Sequence, residues 1–136
     1  MWLCAPSHIS ADLAGARDQV RWFPAMVSNH VMDLIERYGA DSDEIPSALT
    51  DFVKARKFYD YKEHSRVGAK HGEFVTDEIC DRFCVLGNGE QATEKLRKLE
   101  SIGVDQFDIY LRTPGQEETL ASYGDRIIPQ FSGVTA

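Results

Sequence analysis

Two polar residues stand at the end of one segment that the sequence predicts to be a strand. Tyr110 and Arg112 lie two positions apart there and are followed by the turn Thr113-Pro114-Gly115. A guanidinium at a strand end can bind two oxygens of an anion at once. Arg112 and Tyr110 are therefore candidates for cofactor or substrate binding, the alternative being that both are solvated strand residues.

A second candidate is the glycine-flanked Asn88 in Gly87-Asn88-Gly89, which follows another apolar segment and precedes a predicted helix. Free N–H groups and the positive end of the helix dipole favour a phosphate at such a turn. The alternative is a simple helix cap, since Gln91 completes a capping-box spacing. A Walker motif and a complete Gly-x-Gly-x-x-Gly motif are both absent from the sequence.

Ser7 and His8 follow the first predicted strand. An imidazole titrates near neutral pH and can carry a proton, so His8 is the candidate catalytic residue and Ser7 a candidate for substrate or cofactor binding. His64 and His71 fall in a segment without regular periodicity, where histidines rarely act in catalysis. No nucleophile elbow supports a Ser-His or Cys-His nucleophile.

His71, Cys80 and Cys84 are candidate metal ligands, the alternative being that the two cysteines are buried thiols. The Cys-x-x-x-Cys spacing lacks the second ligand pair of a structural zinc site, so no metal is predicted. With Cys4 the cysteines number three, which argues against a disulfide framework and for reduced thiols.

Composition indicates one globular domain spanning residues 1–136, with 43% hydrophobic residues and a net charge of -7. The acidic balance, without a dense basic run, argues against nucleic acids and anionic membranes as partners. No apolar run approaches the ~18 residues of a membrane-spanning helix. Residues 1–9 lack the features of a signal peptide, so a cytoplasmic location is expected.

The spacing of apolar residues predicts the elements that must position these side chains. Residues 2–5 read as a buried strand, and 12–38 as a helical stripe that Pro24 should kink or divide near Trp22-Phe23. Acidic residues 41–44 connect this region to a shorter helix over 47–56. An irregular excursion then covers 58–74.

The second half repeats the alternation of strands and helices. The predicted elements are a short helix at 77–82, a strand at 83–86, a helix at 89–102, a strand at 105–112 and a last helix ending near Pro129. This order indicates an α/β fold with parallel strands. The third strand alternates, with Asp108 and Tyr110 on its polar face, which fits either a solvated edge strand or a strand facing a barrel interior.

The stretch from Phe83 to Leu111, which includes Phe-Cys-Val-Leu-Gly-Asn-Gly-Glu-Gln and Gly103-Val104-Asp105, resembles the last two βα units of luciferase-like flavin- and deazaflavin-dependent oxidoreductases. Residues 15–26 and 71–82 resemble a deazaflavin-dependent subgroup of this bacterial luciferase-like monooxygenase family. The resemblance implies a TIM-barrel fold, FMN or a deazaflavin as cofactor, and oxidoreductase or monooxygenase chemistry carried by that cofactor.

Length limits what the resemblance implies. A TIM barrel needs eight βα units and about 250 residues, whereas this sequence offers three candidate strands. The resemblance therefore implies a partial barrel equivalent to the last three βα units. In the family the N-terminal half supplies most contacts to the cofactor phosphate. The chain is accordingly expected to be an inactive C-terminal fragment of such an oxidoreductase, with no cofactor bound by it alone.

A three-stranded piece of a barrel leaves strand edges and apolar surface uncovered. The expected partners are therefore a second copy, in a homodimer or larger homo-oligomer, or an N-terminal half-barrel chain. Two alternatives to the fragment interpretation follow from this. The chain is either a stand-alone homo-oligomeric binding or assembly module, or a split-barrel subunit that needs the partner chain.

Overall fold

The computed structural model describes residues 1–38 and 60–131. Its strands are β1 (Trp2–Ile9), β2 (Val85–Gly87) and β3 (Gln106–Tyr110). Its α-helices are α1 (Leu13–Val20), α2 (Trp22–Tyr38), α3 (Asp77–Phe83), α4 (Gly89–Ser101) and α5 (Gln116–Ser122). The connector expected at 41–44 and the helix expected at 47–56 lie outside the described residues.

The three strands form one parallel sheet in the order β2-β1-β3. Trp2 to Pro6 of β1 are in register with Gln106 to Tyr110 of β3, and Ser7 to Ile9 are in register with β2. The α/β class and the parallel strands predicted from the sequence are confirmed. Since β3 pairs with β1 alone among the described strands, it is an edge strand, and this accounts for its polar face.

The sheet is not a closed barrel, and its strand order differs from that of consecutive barrel strands. Strands that follow one another in a βα-barrel are neighbours, which would place β2 in the centre. Here β1 is central, and the chain passes from one side of it to the other. A reversal of this kind is typical of open, doubly wound sheets.

Helices cover both faces of the sheet. The adjacent residues Val85 and Leu86 of β2 point to opposite faces and belong to separate hydrophobic cores. The core on the Leu86 side also contains buried residues of α1, α2 and α3 and of the segments next to α3: Ala16, Val20, Ala25, Val31, Val75, Cys80 and Cys84. The core on the Val85 side is completed by Ala92, Leu96, Tyr123 and Ile127.

β1 runs on to Ile9, so the predicted end at Ala5 is wrong. Pro6 has no N–H to give to a neighbouring strand, and a proline usually weakens a central strand. Pro6 is the last β1 residue in register with β3, and Ser7 is the first in register with β2. The missing N–H of Pro6 thus falls where the pairing of β1 passes from β3 to β2, and β1 continues beyond it.

The helical stripe at 12–38 is divided as expected. α1 ends at Val20 and α2 begins at Trp22, so Pro24 lies in the first turn of α2, where a backbone N–H has no partner within the helix. An exposed network joins α1 to α3. Arg17 binds Asp81, and Arg21 binds Asp77, each with a shortest N–O distance of 2.7 Å.

The remaining boundaries shift by a few residues. Phe83 ends α3, so β2 starts at Val85 and not at Phe83. Of the irregular stretch predicted at 58–74, the described part holds two short 3₁₀ helices, Tyr61–Glu63 and Lys70–Gly72. After α5 the chain widens into a π turn at Tyr123–Ile127 and a 3₁₀ turn at Ile128–Gln130.

None of the helices within the described residues combines the length and the apolar character that crossing a bilayer requires.

Candidate functional site at the carboxyl ends of β1 and β3

The carboxyl ends of β1 and β3 lie side by side because Pro6 is in register with Tyr110. Two positions further along, His8 of β1, which is still in register with Leu86 of β2, and Arg112, which follows β3, lie at this same end of the sheet. Ligands of open parallel sheets bind outside the carboxyl ends of the strands, where the strand order reverses. The space between β1 and β3 is such a reversal, since β1 lies between the two later strands.

His8 is half-buried beneath the turn that follows β3. A Cβ on Gly115 would lie 3.2 Å from His8 Cε1, so the ring packs closely against this glycine. His8 Nδ1 is buried and has no hydrogen-bond partner among the described residues. Burial lowers the pKa of His8, and the carboxylate of Glu118 opposes that shift. His8 is accordingly a neutral imidazole at pH 7, able to accept a proton.

Tyr110 forms an aromatic cluster with the start of α2. Its ring centroid lies 5.7 Å from that of Trp22 and 6.4 Å from that of Phe23, both in tilted arrangements. Trp22 is 2% exposed and Tyr110 is 37% exposed, so the tyrosine covers the buried tryptophan. The cluster gives the edge an apolar wall against which a flat ring can pack.

Arg112 is exposed two residues beyond the end of β3. It lies at the same end of the sheet as His8 and makes no ion pair within the part of the chain that the structure describes. Its guanidinium is thus available to an anionic group.

Asn88 caps α4. Its Oδ1 accepts a hydrogen bond from Gln91 N at 3.0 Å, and Gln91 Oε1 accepts one from Asn88 N at 2.9 Å. This reciprocal capping box, the alternative considered for Asn88, uses two of the amides that a phosphate would need. The carboxylates of Glu90, Glu94 and Asp125 line the surface beside the turn together with Arg126.

Ser7 lies inside the protein, 1% exposed, and does not reach the edge. Its hydroxyl donates to Val85 O at 2.9 Å and accepts from Tyr123 Oη at 2.9 Å. Both of these hydrogen bonds are made within the core. The position is structural, because successive residues of a strand point to opposite faces and Ser7 faces the α4 side.

Sequence reasoning missed three residues of this edge. Trp22 carries an indole Nε1 that is buried without a partner among residues 1–38 and 60–131. Glu118 sets the electrostatic surroundings of His8, and Thr119 Oγ1 accepts a hydrogen bond from Ile9 N at 3.2 Å. The Thr113-Pro114-Gly115 turn was the available signal, since it folds α5 back over the end of β1.

The thiols match their predicted state. Cys4, Cys80 and Cys84 are free, and the last two are buried. Burial raises the pKa of Cys80 to about 11, and burial likewise raises the pKa of Cys84, so both are protonated and unreactive near neutral pH. Within the described residues no three His, Cys, Asp or Glu side chains are grouped as metal ligands would be.

An apolar cleft of about 290 Å³ lies beside β3 on the opposite face of the sheet from Tyr110. Phe107 and Ile109 of β3 form one wall of the cleft. The other residues lining it are mostly apolar: Leu96, Leu99, Glu100, Val104, Asp105, Gln106, Tyr123, Ile127, Ile128 and Phe131.

FMN or a deazaflavin does not fit the described residues as they stand. The one turn that resembles a phosphate site is occupied by its own capping box and is flanked by carboxylates, which repel a phosphate. His8, Tyr110 and Arg112 offer contacts to the side of a ligand but no phosphate cradle.

The fold and the edge together define a small open α/β sheet with a neutral imidazole, an aromatic wall and an exposed arginine at the carboxyl ends of its strands. Comparisons with protein-family models, with curated proteins and with solved structures find no match to this chain.

Proposed function

We propose that the chain is the C-terminal portion of a luciferase-like flavin- or deazaflavin-dependent oxidoreductase of the monooxygenase type, descended from the last three βα units of the barrel and inactive without its N-terminal half. The motifs between Phe83 and Leu111 support this proposal. One structural observation adds support: the strand register puts His8, Tyr110 and Arg112 at the same carboxyl end of the sheet, where enzymes built from βα units hold their substrates.

Within this proposal the chain supplies the substrate side of the site. His8 accepts a proton or a hydrogen bond from the substrate, because burial keeps its pKa low and its imidazole neutral. Tyr110 excludes water from one wall, and Arg112 binds an anionic substituent. The phosphate site belongs to the N-terminal half-barrel partner, which agrees with the capped and acidic turn at Asn88.

The strand order of the isolated chain differs from the order that the same strands would have in an intact barrel. β1 pairs with β3 along Trp2 to Pro6. In an intact barrel β2 would lie between these two strands and pair with both. Joining the missing half therefore requires the sheet to rearrange. The location we propose for the whole protein is the cytoplasm, supported by an acidic chain with reduced cysteines.

The test is cofactor binding with and without an N-terminal half-barrel of the same family. The purified chain should bind FMN or reduced deazaflavin no more tightly than about 0.1 mM, since it lacks a phosphate site. Co-expression with the half-barrel should yield a complex that binds cofactor and oxidises or reduces substrate. In that complex His8→Ala should lower kcat about a hundredfold, and Arg126→Ala, at an exposed arginine away from the edge, should not. Stoichiometric cofactor and turnover in the chain alone would contradict the proposal.

A second candidate is a stand-alone homo-oligomeric binding module, and the apolar cleft beside β3 favours it. The cleft of about 290 Å³ lies next to an unpaired strand edge, so a second copy can close it into a pocket at a subunit interface. Under this candidate the oligomer binds a small apolar ligand without turnover. Titration with 1-anilinonaphthalene-8-sulfonate should give saturable fluorescence that Ile109→Glu abolishes.

A further inference from the structure

The outer edge of β3 carries the most specific unassigned feature of the chain. β3 pairs with β1 on one side only, among the strands that residues 1–38 and 60–131 contain. No described strand pairs with the backbone N–H and C=O groups on its other side, which is the feature that makes an edge strand able to pair with another chain.

The sequence of this edge is self-complementary about Tyr110. Asp108 precedes Tyr110 by two positions and Arg112 follows it by two, while Ile109 and Leu111 flank it directly. In an antiparallel pair of identical strands centred on Tyr110, Asp108 of each copy stands opposite Arg112 of the other. Ile109 and Leu111 are opposed in the same way on the other face.

Exposure and partners agree with this pairing. Asp108 and Arg112 are both exposed and make no ion pair with any described residue. The one hydrogen bond of the Asp108 carboxylate within the described residues comes from the side-chain amide of Gln106, at 2.8 Å. Leu111 and Arg112 lie outside any helix or turn, and Thr113 precedes Pro114, which favours extended backbone. The edge can thus extend beyond Tyr110 and pair over its full length.

The apolar cleft lies on the same edge. Phe107 and Ile109 line it from β3, and Ile128 at its side is 56% exposed. A two-fold axis through Tyr110 would set the clefts of two copies side by side and would add Leu111 of each copy to the cleft of the other.

We propose that the β3 edge is a homodimer interface, in which Phe107 to Thr113 of two copies pair antiparallel about Tyr110 and form reciprocal Asp108–Arg112 ion pairs. The partner at this edge is a second copy of this chain, because Asp108 and Arg112 have opposite charges and lie at equal distances on either side of Tyr110. A two-fold axis at Tyr110 therefore brings each charge opposite its counterpart, as an isologous interface requires. The inference does not rest on the proposed oxidoreductase function, and in this dimer Arg112 pairs with Asp108 of the other copy in place of an anionic substrate group.

Charge reversal tests the ion pairs. Sedimentation equilibrium of the purified chain should show a dimer, and Asp108→Arg or Arg112→Asp should each raise the dissociation constant at least about tenfold, since each sets two like-charged pairs opposite one another. The double variant Asp108→Arg/Arg112→Asp should restore the wild-type constant. Arg126→Asp, which makes the same charge change at an exposed arginine away from β3, is the matched control.

A disulfide test reads the register directly. Residues opposite each other in an antiparallel pair have Cα atoms about 4.5–5.5 Å apart, within reach of a disulfide. In a Cys4→Ser background, Tyr110→Cys should oxidise to a covalent dimer, whereas Gln106→Cys should not. Circular dichroism confirms that each variant is folded. A monomer at about 0.1 mM, single reversals equal to Arg126→Asp, a double variant that stays dissociated, or equal cross-linking at both cysteines would each overturn the proposal.

Discussion

The hydroxyl of Tyr123 donates a hydrogen bond of 2.9 Å to Ser7 Oγ in the core between β1 and the π turn. Ser7 in turn donates to Val85 O of β2, so one chain of hydrogen bonds links the central strand, an edge strand and the C-terminal turns. Both side chains are nearly fully buried. Buried hydrogen bonds in such a chain are costly to leave unmade.

Removing the hydroxyl of Tyr123 should destabilise the fold. Tyr123→Phe leaves Ser7 Oγ without its donor while the ring still fills the core, so we expect a loss of about 1 kcal/mol in the free energy of unfolding. Tyr110→Phe, at a half-exposed ring, should change it by less than about 0.5 kcal/mol. Urea denaturation measures both. Equal midpoints for the two variants would show that the Ser7–Tyr123 bond contributes nothing.

The same tyrosine should make the protein sensitive to alkali. Burial raises the pKa of Tyr123 from 10.0 to about 12, against the lesser effect of its hydrogen bond to Ser7. Between these pH values the unfolded chain loses the proton first, so stability is full below pH 10 and falls as pH rises towards 12. The decline should reach about 2 kcal/mol. Tyr123→Phe should lack this part of the decline in a series of urea melts across that pH range.

The sequence predicted the elements well and the assembly poorly. The capping box at Asn88 and Gln91, the break before Pro24 and the alternation of β3 all depend on near neighbours in the chain, and all three are confirmed. The strand order depends on contacts between distant segments, such as Pro6 with Tyr110, which no local pattern encodes.

The candidate site divides along the same line. His8, Tyr110 and Arg112 could be assigned to the carboxyl ends of strands because each ends or follows an apolar segment of the sequence, even though the predicted end of β1 was wrong. Ser7 was misplaced because β1 was expected to end before it. Within a strand, side chains alternate between the two faces of the sheet, and this alternation turns the Ser7 side chain into the core. Trp22 was predicted only to lie near the point where the helical stripe divides, and its contact with Tyr110 follows from tertiary packing alone.

Gly115 should be intolerant of a side chain because of His8. Its φ of +81° and the 3.2 Å approach of His8 Cε1 each disfavour a Cβ. Gly103 has a φ of +95° with open space around it, so Gly103→Ala carries the backbone cost alone, about 1 kcal/mol. Gly115→Ala should cost about 1 kcal/mol more by urea denaturation. Equal losses would mean that the imidazole moves aside freely.

The charge of Glu118 should be visible in the titration of His8. Burial lowers the pKa of His8 from 6.5, and Glu118 raises it in part, so Glu118→Gln should lower it further. Glu117→Gln removes the neighbouring exposed carboxylate and should leave the titration unchanged. The measurement is the pH dependence of the His8 ring signals in NMR spectra. Because the folded pKa is depressed, this group's contribution to stability should be lost as pH falls below 6.5. A rise in pKa in Glu118→Gln would contradict the assignment.

Lys95 should be the most important lysine of α4 for stability. Its ammonium lies against the carbonyl oxygens of Asp81 and Cys84 and 3.3 Å from that of Arg82, so it caps the carboxyl end of α3. Such carbonyls have no partner within their helix and carry its negative dipole end. Burial lowers the pKa of Lys95, which indicates that the ammonium is drawn partly out of water to make these contacts.

Lys95→Met keeps most of the aliphatic stem and removes the cap, and we expect a loss of about 1–2 kcal/mol in the free energy of unfolding. Lys98→Met is the matched control on the same helix. Its ion pair with Glu94, at 2.7 Å, joins side chains that are 74% and 68% exposed, so the loss should be much smaller than that of Lys95→Met. Thermal and urea unfolding decide between them. If Lys95→Met proved as stable as Lys98→Met, α3 would end without help from α4, and the contact between the two helices would rest on apolar packing alone.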